Sequence, residues 1–177
     1  MGVGPEAVEL IRNLHDNGHL EKLESIIELG SQEVPTSDWH QNWARRTVKS
    51  LTGADPKSSP LTIQEFYEAF GISEYACIDA DGANDALVYD LNCDISKSYE
   101  AHRTYDIVTN FGTTEHVFNQ YNCFKNIHDL LAVGGLSIHI VPFGGYLNHG
   151  YFNYHPSFFV DLGLANNYDI IGIWFSA

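Results

Sequence analysis

Apolar positions along the chain follow two periods, and the places where one gives way to the other divide it into elements. Ala7, Leu10, Ile11 and Leu14 have helical spacing, with Pro5 suited to a first turn and Gly18 to a stop, so a packing helix is predicted over 5–17. The run SIIELGSQ at 25–32 reads as a short apolar strand followed by a glycine-containing turn. A second helix is expected over 38–51, capped by Ser37 or Asp38, and LTIQEFYEAF at 61–70 is an amphipathic helix ended by Gly71. Strands are predicted at 75–78 and 87–89, ending in Asp79 and Asp90, and a fourth at 105–109. The helix over 120–131 has Phe124, Ile127, Leu130 and Leu131 on one face and is closed by Gly134 and Gly135. A fifth strand at 136–141, a helix at 156–165 and a sixth strand at 169–175 complete the pattern.

Strands alternating with helices predict an α/β fold, a doubly wound and mostly parallel sheet with helices on both faces. The stretch 80–86 is too short for a full crossover, so either that connection is abbreviated or one of its flanking segments is an edge strand. The chain is expected to form a single domain over 1–177, with 33–60 as an insertion or lid broken by Pro35, Pro56 and Pro60. Trp39 and Trp43 are expected as packing anchors within it.

Composition narrows the partners. With 44% hydrophobic residues in 177, the chain has enough apolar material for one good core. Its formal charge of -14 repels phosphate backbones and anionic lipid, which argues against nucleic acid and membrane surfaces as partners and favours a small or zwitterionic ligand. Cys77, Cys93 and Cys123 form no CxxC pair and are odd in number, so no disulfide framework or cysteine zinc site is indicated, and a reducing cytoplasm is expected. No stretch approaches the roughly 20 apolar residues of a membrane helix. No signal-peptide pattern opens the chain, and Glu6 stands where a lipidation signal needs Ser or Thr.

The chemistry concentrates in two runs. In YDIVTNFGTTEHVFN at 105–119 an apolar strand gives way at Gly112 to hydroxyl, carboxylate, imidazole and amide groups. Such crowding suits a cleft at a strand's carboxyl end, where ligands bind in open α/β sheets. In FGGYLNHGYFNYHP at 143–156, His149 lies among Tyr146, Tyr151, Phe152 and Tyr154, which could wall an apolar pocket. His139 falls within a strand and reads as a satisfied core histidine, whereas His15, His19 and His102 read as surface.

Taken in order, SIIELGSQ, YACIDADG at 75–82, ALVYDLN at 86–92, the 105–119 run, LLAVGGLSIHIVP at 130–142 and GYLNHGYFNYHPSFFVDL at 145–162 resemble the class I S-adenosylmethionine-dependent methyltransferases. They look most like a subgroup with a GT-x-EH run after the fourth strand and an NHG-Y/F run after the fifth. The resemblance implies a Rossmann-like fold and S-adenosyl-L-methionine as cofactor. It assigns Glu28, Gly30 and Ser31 to the methionine part, Asp79 to the ribose hydroxyls with Asp81 as the spare, and Asp90 with Leu91 and Asn92 to the adenine. Asn110, Gly112 and Thr113 border the same ligand. Methyl transfer is largely positioning, since the sulfonium is already a good leaving group. His116 and His149 are then the expected base or acceptor-orienting groups, with Glu115 and Tyr151 as neighbours. Glu115 and His116 read equally as a helix-start pair bonded to backbone amides.

Only Gly30 marks the first-strand loop, and the interval from it to Asp79 far exceeds the roughly 20 residues of a dinucleotide fingerprint. The family's last, antiparallel strand has no counterpart here. Either the chain is a fragment, or a partner covers the sheet edge, as in a homodimer. Two other functions fit the residues. One is a cofactor-binding protein without turnover. The other is a metal-dependent hydrolase with Glu115, His116, His149 and His155 around a cation, although no HExxH or HxH spacing is present and no metal ligand set is assigned.

Overall fold

A computed structural model describes residues 2–145 and 148–176. Tyr146, one of the aromatic residues expected around the acceptor, lies outside the described residues. Among them the sheet has four strands, β1 (Ser25–Leu29), β2 (Glu74–Ile78), β3 (Tyr105–Phe111) and β4 (Leu131–Ile140), in the order β2-β1-β3-β4 with every pair parallel. Six helices accompany it: α1 (Pro5–Asp16), α2 (Asp38–Thr52), α3 (Ile63–Glu68), α4 (Ile95–Ser98), α5 (Gln120–Leu130) and α6 (Pro156–Ala165).

The alternation of side chains along a strand accounts for the layering. Ile26 and Ile107 point into a cluster built with Ile11 of α1, Val48 of α2 and Phe66 of α3. Ile27, Leu29 and Val108 point the other way, against Phe124 and Ile127 of α5 and Ile95 of α4. A strand covered on both faces is mostly apolar, and Ile26, Ile27 and Leu29 are all essentially inaccessible, with Glu28 the charged exception among them. The register aligns Leu29 with Ile78 on one side and with Asn110 on the other, so the chain leaves β1, β2 and β3 at nearly the same level. That shared rim places Gly30, Asp79 and Gly112 within reach of one ligand.

Several expectations change. The third strand shrinks to one parallel bridge, Ile78 to Leu87, with Leu87 N–H donating to Cys77 O at 2.8 Å and Asp79 N–H to Leu87 O at 3.2 Å. Its crossover is only the 3₁₀ turn Ala83–Asp85, too short to return a full strand. Residues 169–175 form no strand; they have no regular structure, and Ile170, Ile171, Ile173, Trp174 and Phe175 are exposed. Apolar content alone does not make a strand that has no neighbour to pair with. Gly134 and Gly135 do not close a helix: α5 ends at Leu130 and both glycines lie inside β4, where the pairing shifts from Tyr105–Leu131 to Ile107–Leu136. A Cβ at Gly135 would lie 2.6 Å from Asp106 O, which is why the shift passes through glycine.

The 33–60 stretch carries α2, and its Val34, Ala44 and Val48 are buried in the same cluster as α1. Trp43 packs on that cluster, but Trp39 is 62% exposed, stacking on Trp43 and meeting His40 edge-on, so it is no anchor.

Candidate functional site

The rim is held together by the turns themselves. Gly30 adopts φ +82 and donates its N–H to Ile78 O at 2.7 Å, and a Cβ there would lie 2.5 Å from Thr113 Oγ1. Thr113 Oγ1 in turn donates to Leu29 O at 2.6 Å, locking the β3 turn onto the end of β1. On the other side Asp79 Oδ2 accepts from Ser31 N–H at 2.9 Å, and Oδ1 accepts from Asp81 N–H at 3.3 Å. The loops after three adjacent strands therefore brace one another.

They enclose a cleft of about 610 Å³. Gly30, Ser31 and Asp79 form one wall, Asp90 and Leu91 a second, and Gly112, Thr113 and His116 a third. These expected residues, spread from 30 to 116, come together. The Asp90 carboxyl is held below its usual range, chiefly by the Asn92 backbone N–H donating at 2.9 Å, and secondarily by the Asn92 amide. Two carboxylates thus face a cleft with no lysine or arginine in its lining, a setting that favours cationic or hydroxyl-bearing ligands.

Other expected residues do not reach the cleft. Glu28 points to the opposite face of the sheet, fully buried, where its carboxylate accepts from Tyr67 Oη at 2.6 Å and Tyr75 Oη at 2.7 Å. Burial pushes its pKa up to about 7 despite those bonds. Asn110 is a buried latch: its Oδ1 accepts from Thr114 N–H at 3.1 Å, while its Nδ2 donates to Thr114 Oγ1 at 2.8 Å and lies 3.2 Å from His139 Nδ1. Asp81 is exposed and accepts from Ala83 N–H at 2.8 Å. Tyr151 is 74% exposed, and its backbone N–H is bonded to Glu115 O. Tyr154 and Phe152 pack into the apolar cluster under α5 instead of walling a pocket.

Beside the cleft, Glu115, His116 and His149 converge. Glu115 has no accessible surface; its Oε1 lies 3.2 Å from His149 Nε2 and 3.9 Å from His116 Nε2, and the two imidazole rings meet edge to face at 4.9 Å. The loop after β4 is clamped there by Tyr151 N–H and Phe152 N–H, which both donate to Glu115 O, at 2.7 and 3.2 Å. Gly150 makes the approach possible, since a Cβ would lie 2.7 Å from Glu115 Cγ, and Asn148 takes the left-handed conformation before it at φ +61. His155 does not join them; its Nδ1 accepts from Ser157 N–H at 3.2 Å at the start of α6.

The sequence reading missed an aromatic shelf. Tyr89 and Tyr99 stack at 4.5 Å and line the cleft with Val88, and Asp90 N–H donates to Tyr99 Oη at 3.1 Å. Tyr99 stands alone in a polar stretch, outside any apolar period, and that isolation was the available signal. Asn126 was missed as well. It is buried, its Oδ1 accepts from Ile95 N–H at 3.2 Å, and its Nδ2 donates to Leu91 O and Cys93 O at 3.3 and 2.8 Å, tying the Asp90 loop to α5.

No protein-family model, curated protein or solved structure matches this chain.

Proposed function

We propose that the protein is an S-adenosyl-L-methionine-dependent methyltransferase of Rossmann-like fold, acting on a small-molecule acceptor. The observation that carries this reading is the convergence of Gly30, Asp79 and Asp90 on one cleft beyond the carboxyl ends of parallel strands. Each contributes what a nucleoside needs. Gly30 allows close backbone approach, Asp79 offers carboxylate oxygens to the ribose hydroxyls, and Asp90 with the Tyr89–Tyr99 shelf suits an adenine with its amino group. The carboxylate-rich lining also favours the positive sulfonium. His116 is on the cleft wall with Glu115 and His149 behind it, so this group forms the acceptor side, orienting the acceptor and taking its proton where one must leave.

The test is thermal denaturation with S-adenosylhomocysteine. A ligand that binds only the folded state raises its stability, by about 2.7 kcal/mol at a hundredfold excess over Kd. The parent protein should melt several degrees higher with the nucleoside, and Asp79→Ala should lose that response. A parent that ignores the nucleoside would remove this reading.

A further inference from the structure

The buried Glu115 carboxylate presents an unsolved electrostatic problem. Its Oε2 is inaccessible and accepts no hydrogen bond, and among the described residues its only ion-pair partners are the two imidazoles near Oε1. A carboxylate taken out of water with one oxygen unpartnered is costly, by several kcal/mol unless a counter-charge is supplied. Among the described residues no lysine or arginine pairs with it. What the site does present is one ligand atom from each of Glu115, His116 and His149, all within 4.8 Å of one another.

We infer that Glu115, His116 and His149 form a binding site for a divalent transition-metal ion. Two imidazole nitrogens and one carboxylate oxygen are the donor set that suits zinc, iron(II) or manganese, and three protein ligands leave a position open for a small molecule. Donors about 2.1 Å from a shared ion lie about 3.4 Å apart in tetrahedral geometry. The Glu115–His149 pair, at 3.2 Å, is already there, whereas His116, 3.9 Å from Glu115 and 45% exposed in its side chain, has to swing inward to complete the set. The two less mobile ligands are built into the fold. Glu115 is fixed by burial, and His149 is carried by a loop whose Gly150 and Tyr151 backbone rests on the Glu115 main chain. Because His116 also lines the cleft, an ion held here borders whatever enters it and can take an alcohol, phenol or carboxylate oxygen in its open position.

This inference does not depend on the cofactor being S-adenosylmethionine. Equilibrium dialysis of the full chain against zinc, and separately against manganese, tests it. The parent should retain one equivalent of one of these ions, and Glu115→Gln, His149→Ala and His116→Ala should each weaken retention at least tenfold. His116→Ala alters a part-exposed side chain and so keeps the test available if the buried substitutions impair folding. Asp79→Ala should bind the metal as the parent does while losing its response to S-adenosylhomocysteine, which separates the two sites. A parent that retains neither ion, or retention unchanged by all three substitutions, as expected for scattered surface histidines, overturns the site.

Discussion

Glu28 lies in the middle of β1 with no accessible surface and two tyrosine hydroxyls donating to it, and burial lifts its pKa from 4.5 to about 7. Between those values the folded protein keeps a proton that the unfolded chain has released, so stability must fall as pH rises through the window. At about 1.4 kcal/mol per pH unit the loss is about 3 kcal/mol, complete above about pH 7. His139 works in the opposite sense. Burial beneath the Phe124 and Phe159 rings lowers its pKa from 6.5 to about 4, so there the unfolded chain holds the extra proton and stability rises with pH over that interval. The parent profile therefore mixes opposing slopes, and the difference from a single variant isolates one of them. Glu28→Gln reproduces the protonated acid, with one acceptor and one donor for Tyr67 and Tyr75, at every pH. In urea unfolding, its stability relative to the parent should climb by about 3 kcal/mol between about pH 4.5 and about pH 7.5. A difference that stays constant across that range would mean that Glu28 is ionised in the fold, and the argument from burial would fail.

Three further substitutions probe the site. Gly30→Ala forces a Cβ to 2.5 Å from Thr113 Oγ1 at a φ of +82 and should cost about 1–3 kcal/mol in urea unfolding, with loss of nucleoside binding by calorimetry. Asn126→Ala leaves Ile95 N–H, Leu91 O and Cys93 O without their partner and should cost about 2–3 kcal/mol; an unchanged urea midpoint would show that the Asp90 loop is held by other contacts. His149→Ala should bind S-adenosylhomocysteine as the parent does and lower methyl transfer at least tenfold once an acceptor is found; a variant as fast as the parent would place the acceptor elsewhere.

Four of the six expected strands and most helices were legible because their apolar spacing reports burial directly. The predicted bounds of α6 coincide with the observed ones, and those of α1 and β1 differ by a few residues at most, with Pro5 and Gly18 punctuating the first helix. What the pattern could not register was pairing. The stretches 87–89 and 169–175 look alike as apolar runs, yet one makes a single bridge and the other none, because a strand exists only where a neighbour offers its backbone. Likewise, the cleft residues with glycines or acids at strand ends were readable, whereas Glu28 was not. Strand alternation puts it on the same face as Ile26, opposite Ile27 and Leu29, where Tyr67 and Tyr75 claim it.

The same geometry explains why the GT-x-EH and NHG-Y/F runs belong together although some 30 residues separate them. The backbone carbonyl of Glu115 receives both Tyr151 N–H and Phe152 N–H, Gly112 turns the chain at φ +74 to present it, and Gly150 lets the second loop close upon it. None of these contacts uses the Glu115 carboxylate. The clamp is thus made by main chain and glycine, while the acid contacts His116 and His149 through its carboxylate. Clamp and carboxylate are therefore separable here: Glu115→Gln should leave the loop clamp in place while changing the charge within it, whereas Gly150→Ala should displace His149 with the Glu115, His116 and His149 side chains all intact.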